Sequence, residues 1–137
     1  MKFMVFEQED NKKQVIHKMC SYLLEHGYVD SGYEQAVLER EKIGPFLINN
    51  KVALPHADSS YVRSSIVLLA KLPKPVAWGS KQPTRLVCML GLDIDGKDSV
   101  RYLYDRFLNE EVISQLETAE TEEELRGALI GDADYSK

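Results

Sequence analysis

Two spacings of apolar residues alternate along this chain, and the switches between them outline its elements. Residues 2–6, Lys-Phe-Met-Val-Phe, read as a first strand. From Asn11 the spacing becomes helical, with Val15, Ile16, Met19, Cys20, Leu23 and Leu24 on one side and Gly27 as the stop. A second helix is expected over residues 31–42. Ser31 and Glu34 form a candidate capping box, Tyr33, Ala36, Val37 and Leu38 an apolar side, and Gly44-Pro45 the end. Residues 65–72 and 85–92 are continuous apolar or β-branched runs, the pattern of strands buried on both faces. Lys71-Leu72-Pro73-Lys74-Pro75 is expected to break the first run, leaving Val76-Ala77-Trp78 as a short edge strand. Two or three helices follow, over 99–108, 110–116 and from a capping box at Thr121 and Glu124 onward, with a frayed tail from Gly131. Helices at both ends with strands between them predict an α/β domain whose helices cover a small sheet.

The 137 residues suit one domain, expected to run 1–137, large enough for a proper core. A net charge of −5 without any cluster of Lys or Arg argues against a nucleic-acid-binding face. Apolar runs are too short to span a bilayer, and residues 1–10 have neither the charge nor the apolar stretch of a signal peptide. Cys20 and Cys88 lie in apolar surroundings and read as reduced core residues of a cytoplasmic protein.

Candidate chemistry centres on Val52-Ala53-Leu54-Pro55-His56-Ala57. Proline cannot donate to a sheet ladder and pushes the residue before it toward extended backbone, so a strand ends here. His56 then sits at the rim of a sheet. The plain alternative is a surface histidine in a loop. His26 is explained as a cation near a helix C-terminus. His17 and Cys20 share a helix face but have no further ligands at metal-site spacing. The acidic turn at 93–98 resembles the start of a calcium loop, but its twelfth position is Tyr104 and not glutamate. Asp58, Ser59 and Ser60 are sequence neighbours of His56 without a nucleophile elbow, and no glycine-rich phosphate loop exists. What remains is His56 as a nucleophile, with an arginine to receive an anion: Arg40, Arg63 or Arg85.

These residues carry a resemblance. Ala36-Val37-Leu38-Glu39-Arg40-Glu41-Lys42 followed by Val52-Ala53-Leu54-Pro55-His56 resembles the mannitol/fructose-type enzyme IIA domain of the bacterial phosphotransferase system, including its galactitol-like and regulator-associated members. An Arg-Glu helix end and a Pro-His strand end mark that family, and Arg40 lies sixteen residues before His56. The likeness extends through Ser65, the Pro75-Val76-Ala77-Trp78 segment and the last helices.

The resemblance implies a small mixed sheet flanked by helices on both sides, with no cofactor and no metal. It implies that His56 accepts a phosphoryl group from the phosphocarrier HPr and passes it to a sugar-specific enzyme IIB, with Arg40 holding the phosphate oxygens. Three features depart from the family. Ser99 stands where transporter members often carry a second histidine, Asn49-Asn50-Lys51 replaces glycines, and Ala57 replaces the glycine after the histidine. Ser99 and Asn50 are therefore expected as supporting residues. A regulatory domain whose phosphorylation signals to transcription, and a binding domain that is never phosphorylated, are the competing expectations.

Overall fold

A computed structural model describes residues 1–79, 82–92 and 97–131, with the backbone alone for 97–99. Residues 93–96 of the acidic turn and the tail beyond Gly131 lie outside the described residues. The elements are β1 (Lys2–Val5), α1 (Lys12–Glu25), α2 (Tyr33–Ile43), β2 (Leu47–Ile48), β3 (Val52–Ala53), a 3-10 turn (Ser59–Tyr61), β4 (Ile66–Val76), β5 (Thr84–Gly91), α3 (Lys97–Leu108), α4 (Glu110–Thr118) and α5 (Glu122–Ile130).

The strands form one mixed sheet in the order β1-β4-β5-β3-β2. β1 runs parallel to β4 and β3 parallel to β5; the other pairs are antiparallel. The central strands are apolar throughout because both of their faces are covered. Along β4, Ile66, Leu68 and Ala70 pack with α1 and α2, while Val67 and Leu69 pack with α3, α4 and α5. β5 alternates likewise: Val87 and Met89 face one side, Leu86, Cys88 and Leu90 the other. Each fully buried aliphatic side chain contributes roughly 1.5–3 kcal/mol, so this two-faced strand pair dominates the core.

Three local expectations are corrected. Ser31 does not cap α2: the N-cap is Gly32, whose N–H donates to Asp30 Oδ1 at 2.9 Å. Glu34 is engaged elsewhere, receiving His17 Nδ1 at 2.9 Å across the α1–α2 gap, which also accounts for His17. The prolines do not end β4. The strand continues to Val76, which pairs with Thr84 past an irregularity after Lys71. Pairing with β1 stops at Lys71, so Pro73 and Pro75 lie on an unpaired edge where a missing N–H costs no ladder bond. Trp78 is accordingly no edge residue; it is fully buried in the α1–α2 core. His26 caps α1, its Nδ1–H donating to Tyr22 O at 2.8 Å.

Cys20 and Cys88 are free and buried on opposite faces of the sheet, which separates them from any disulfide geometry. Burial pushes both thiols well above their ordinary range, and the Glu34 charge adds to the effect at Cys20. Burial likewise raises the Tyr33 hydroxyl. A raised folded value means these groups ionise first in the unfolded chain. Their contribution is therefore present below the unfolded pKa and is lost as pH rises past it. Both thiols are expected to resist Ellman's reagent at pH 7 until denaturant is added, and stability is expected to fall as pH climbs through about 8.5–10. Thiol titration and denaturation midpoints against pH check this.

Candidate functional site

The site is built at the end of β3. Leu54 N–H donates to Phe46 O at 2.9 Å, extending the β2–β3 pairing by one step. Pro55, with no N–H to give, is buried, and its carbonyl accepts from Leu90 N at 3.2 Å. His56 makes a last parallel bridge to Leu90 of β5. The chain is thus held extended by its neighbours through His56 and leaves the sheet directly after it. Ala57 has no left-handed backbone, since among the described residues only Asn49 and Asn50 are non-glycines with positive φ. A side chain there is accommodated without strain.

The half-buried His56 ring is oriented by its own strand. Nδ1 lies 2.7 Å from Leu54 O. A carbonyl oxygen only accepts, so Nδ1 carries the proton and Nε2 is left with the lone pair of the neutral ring. An imidazole fixed in this tautomer presents a nucleophilic nitrogen without any change of protonation.

His56 opens into a cleft of about 300 Å³ lined also by Arg40, Phe46, Leu54, Ala57, Leu90, Leu92 and Val100. The walls are mostly apolar, and Arg40 is the one cation among these residues. Arg40 comes from the last turn of α2, is exposed, and has no ion pair among the described residues. Such a cleft can hold an anion against the imidazole, with the guanidinium fork on its oxygens and apolar walls limiting competition from water.

The other arginines are not brought to the cleft. Arg85 lies near the opposite end of β5, five residues before Leu90 and about 17 Å away along a strand. Arg63 follows the 3-10 turn at the same end of the sheet as His56 but does not line the cleft. Asn50 is not among the residues that line the cleft either. It sits with Asn49 and Lys51 in the three-residue connection joining β2 to β3, at the end of β3 away from His56. The φ angles of Asn49 and Asn50, 56° and 53°, are those of a mirror-image hairpin turn, which asparagine tolerates. Ser99 belongs to the first turn of α3, and its side chain lies outside what the structure describes. The next residue, Val100, lines the cleft, so the start of α3 borders it.

Sequence reading missed the support behind the site. Tyr33, fully buried at the start of α2, donates its hydroxyl to Leu90 O, on the residue that bridges to His56. Nothing local in the sequence signals a partner fifty-seven residues away. Phe46 and Leu92 on the cleft wall carry no signal in the sequence beyond being apolar.

A family model described as "Phosphoenolpyruvate-dependent sugar phosphotransferase system, EIIA 2" matches residues 2–130. The chain belongs to this EIIA 2 family. It is 30% identical over 104 residues to the transcriptional regulator ManR of Bacillus subtilis, covering 74% of this chain and 16% of that protein. It is 29% identical over 130 residues to the multiphosphoryl transfer protein of Salmonella typhimurium, covering 92% of this chain and 35% of that protein. The EIIA chain thus corresponds to one part of each of these longer proteins. Among solved structures, the Escherichia coli complex of enzyme IIAMTL with phosphorylated enzyme IIBMTL matches with a TM-score of 0.83 at 24% identity, over 95% of this chain and 94% of that one. That likeness confirms the mixed sheet with helices on both faces.

The reassignment of Asn50 has a measurable consequence. Asn50→Gly is expected to leave stability unchanged. Asn50→Val, forced into a left-handed conformation, is expected to cost about 1–2 kcal/mol by chemical denaturation. Neither substitution is expected to move the His56 ring resonances in NMR spectra.

Proposed function

We propose that this EIIA domain is a phosphocarrier: His56 accepts a phosphoryl group from phospho-HPr and passes it to a sugar-specific enzyme IIB. The observation that carries the reading is the Nδ1–Leu54 O hydrogen bond of 2.7 Å, which leaves Nε2 as the ring's free nitrogen beside Arg40 at one cleft. In the transfer, the Nε2 lone pair attacks phosphorus. The bond from phosphorus to the donor nitrogen breaks as the bond to Nε2 forms, and no proton need be exchanged. Nδ1 keeps its proton on Leu54 O, so the positive charge that the ring acquires is met by a carbonyl dipole. Arg40 spreads the charge of the equatorial oxygens through its planar fork. Second transfer, to enzyme IIB, is the same step reversed onto a new acceptor.

Partner choice fits the surroundings of the cleft. Phe46 on its wall is 54% exposed, with Val100 on the α3 side, and Ile43, 87% exposed, lines the neighbouring cleft that shares Arg40 and Ala57. A protein donor brings its own apolar surface to such walls and dries the reacting atoms. Enzyme IIB is the partner of enzyme IIAMTL in the matching Escherichia coli structure, and we carry that pairing over to this chain. Among the described residues no helix is long and apolar enough to cross a membrane. We place the whole chain, 1–137, as one such domain acting in the cytoplasm.

A second reading has its own support. The likeness to ManR favours a regulatory EIIA domain, phosphorylated at His56 to set the activity of a transcription regulator. The two readings part at the second step, because a regulatory domain keeps its phosphoryl group from enzyme IIB.

Ser99 enters as a proposed neighbour of the phosphoryl group, from the first turn of α3. A serine there donates one neutral hydrogen bond where a protonated histidine would bring charge.

Incubation with phosphoenolpyruvate, enzyme I and HPr is expected to add one acid-labile phosphoryl group per chain, and His56→Ala is expected to add none. Arg40→Lys keeps the charge and loses the fork; Arg40→Ala loses both. Loss of the charge-assisted contact is expected to cost on the order of 1.5–3 kcal/mol in the transition state, roughly ten- to hundredfold in transfer rate, with folding intact. Intact-mass spectrometry and rapid-quench rates check both statements; label on His56→Ala contradicts the reading.

A further inference from the structure

α2 turns one stripe toward the core, and the last position of that stripe is charged. Tyr33 and Val37 are fully buried, and Glu41 continues the same face four residues on. An apolar residue ordinarily occupies such a place. The Glu41 side chain is only 8% exposed, and Lys12 Nζ lies 2.8 Å from its Oε1. The same ammonium stands 5.2 Å from the ring centroid of the fully buried Trp78. Among the described residues, Glu41 Oε1 and Trp78 Nε1 are the buried side-chain polar atoms without a hydrogen bond. Lys12 therefore balances Glu41 through proximity of charge and not through a directed hydrogen bond. Removing either ion leaves the other uncompensated in a poorly solvated place.

Lys12 is itself a fixed point. It opens α1 directly after Asn11, whose side chain and backbone exchange hydrogen bonds of 2.8 and 2.9 Å with Gln14. Arg40 is the residue before Glu41, and successive side chains on a helix point about 100° apart. Fastening Glu41 inward thus fixes the direction of Arg40 at the cleft, where Arg40 has no ion pair of its own among the described residues. At the opposite end of α2, the Tyr33 hydroxyl is tied to Leu90, the bridge partner of His56. The helix is held at one end by the strand that flanks His56 and at the other by α1.

We infer that Glu41 is a positioning residue for phosphoryl transfer: through Lys12 it sets the last turn of α2, and with it the placement of Arg40 against the phosphoryl group on His56. The inference rests on the phosphocarrier reading above. The test is a double-mutant cycle read as the initial rate of phosphoryl uptake from phospho-HPr, with melting temperatures measured alongside. The proteins are the wild type, Glu41→Gln, Arg40→Ala and the double variant. Glu41→Gln is expected to slow uptake about tenfold or more when Arg40 is present. It is expected to change little in the Arg40→Ala background, because both substitutions then act through one group. Should Glu41→Gln fail to fold, Glu41→Leu suits a buried stripe and carries the same comparison. Equal slowing in both backgrounds shows a merely structural role and overturns the inference, as does a wild-type rate for the Glu41 variant. Absence of any label on wild-type protein overturns the phosphocarrier reading, and the inference with it.

Discussion

The hydrogen bond from His56 Nδ1 to Leu54 O is the interaction on which the rest of the site depends. As a neutral pair it contributes only about 1 kcal/mol to stability. Its importance lies in choosing between two chemically different rings. Without it the imidazole is free to rotate and to protonate at either nitrogen; with it Nε2 is the available nucleophile. The bond forms because the chain is held extended as far as His56, so the ring folds back on its own backbone. Pro55 enforces that extension, and Leu90 of β5 secures it through Pro55 O.

The architecture behind this point is rigid for an ordinary reason. β4 and β5 are buried on both faces, so neither can slip by a residue without turning a full apolar set toward the wrong layer. α2 is more weakly held. Tyr33 and Val37 are its only fully buried side chains, and its two ends are secured by polar contacts, Tyr33 to Leu90 and Glu41 to Lys12. This is the element that carries Arg40. The cation that lines the His56 cleft thus sits on a helix whose placement depends on specific polar groups more than on bulk packing.

Much of this was legible in the sequence because it is written in local rules. Pro55 before His56 announces a strand end, the helical spacing of α1 announces its buried face, and Asn49-Asn50 permits the hairpin turn. The misreadings share a different cause, which is competition at a distance. Ser31 and Glu34 have the spacing of a capping box, yet His17, seventeen residues earlier, takes the carboxylate. Pro73 and Pro75 look like strand breakers, yet β1 stops pairing at Lys71 and leaves them an edge to occupy. Asn50 resembled a site residue by family position, and its distance from His56 follows only from the direction of β3. Arg40 could be separated from Arg85 only once β5 had a direction and an end.

We propose that the Nδ1 bond to Leu54 O leaves Nε2 as the one nitrogen of His56 that takes the phosphoryl group. The direct measurement is heteronuclear NMR of the phosphorylated domain labelled with ¹⁵N-histidine, which locates the phosphorus–nitrogen bond on the ring. The account predicts a phosphoryl group on Nε2, with Nδ1 protonated both before and after transfer. A phosphoryl group on Nδ1 would contradict it, since that nitrogen would first have to abandon Leu54 O.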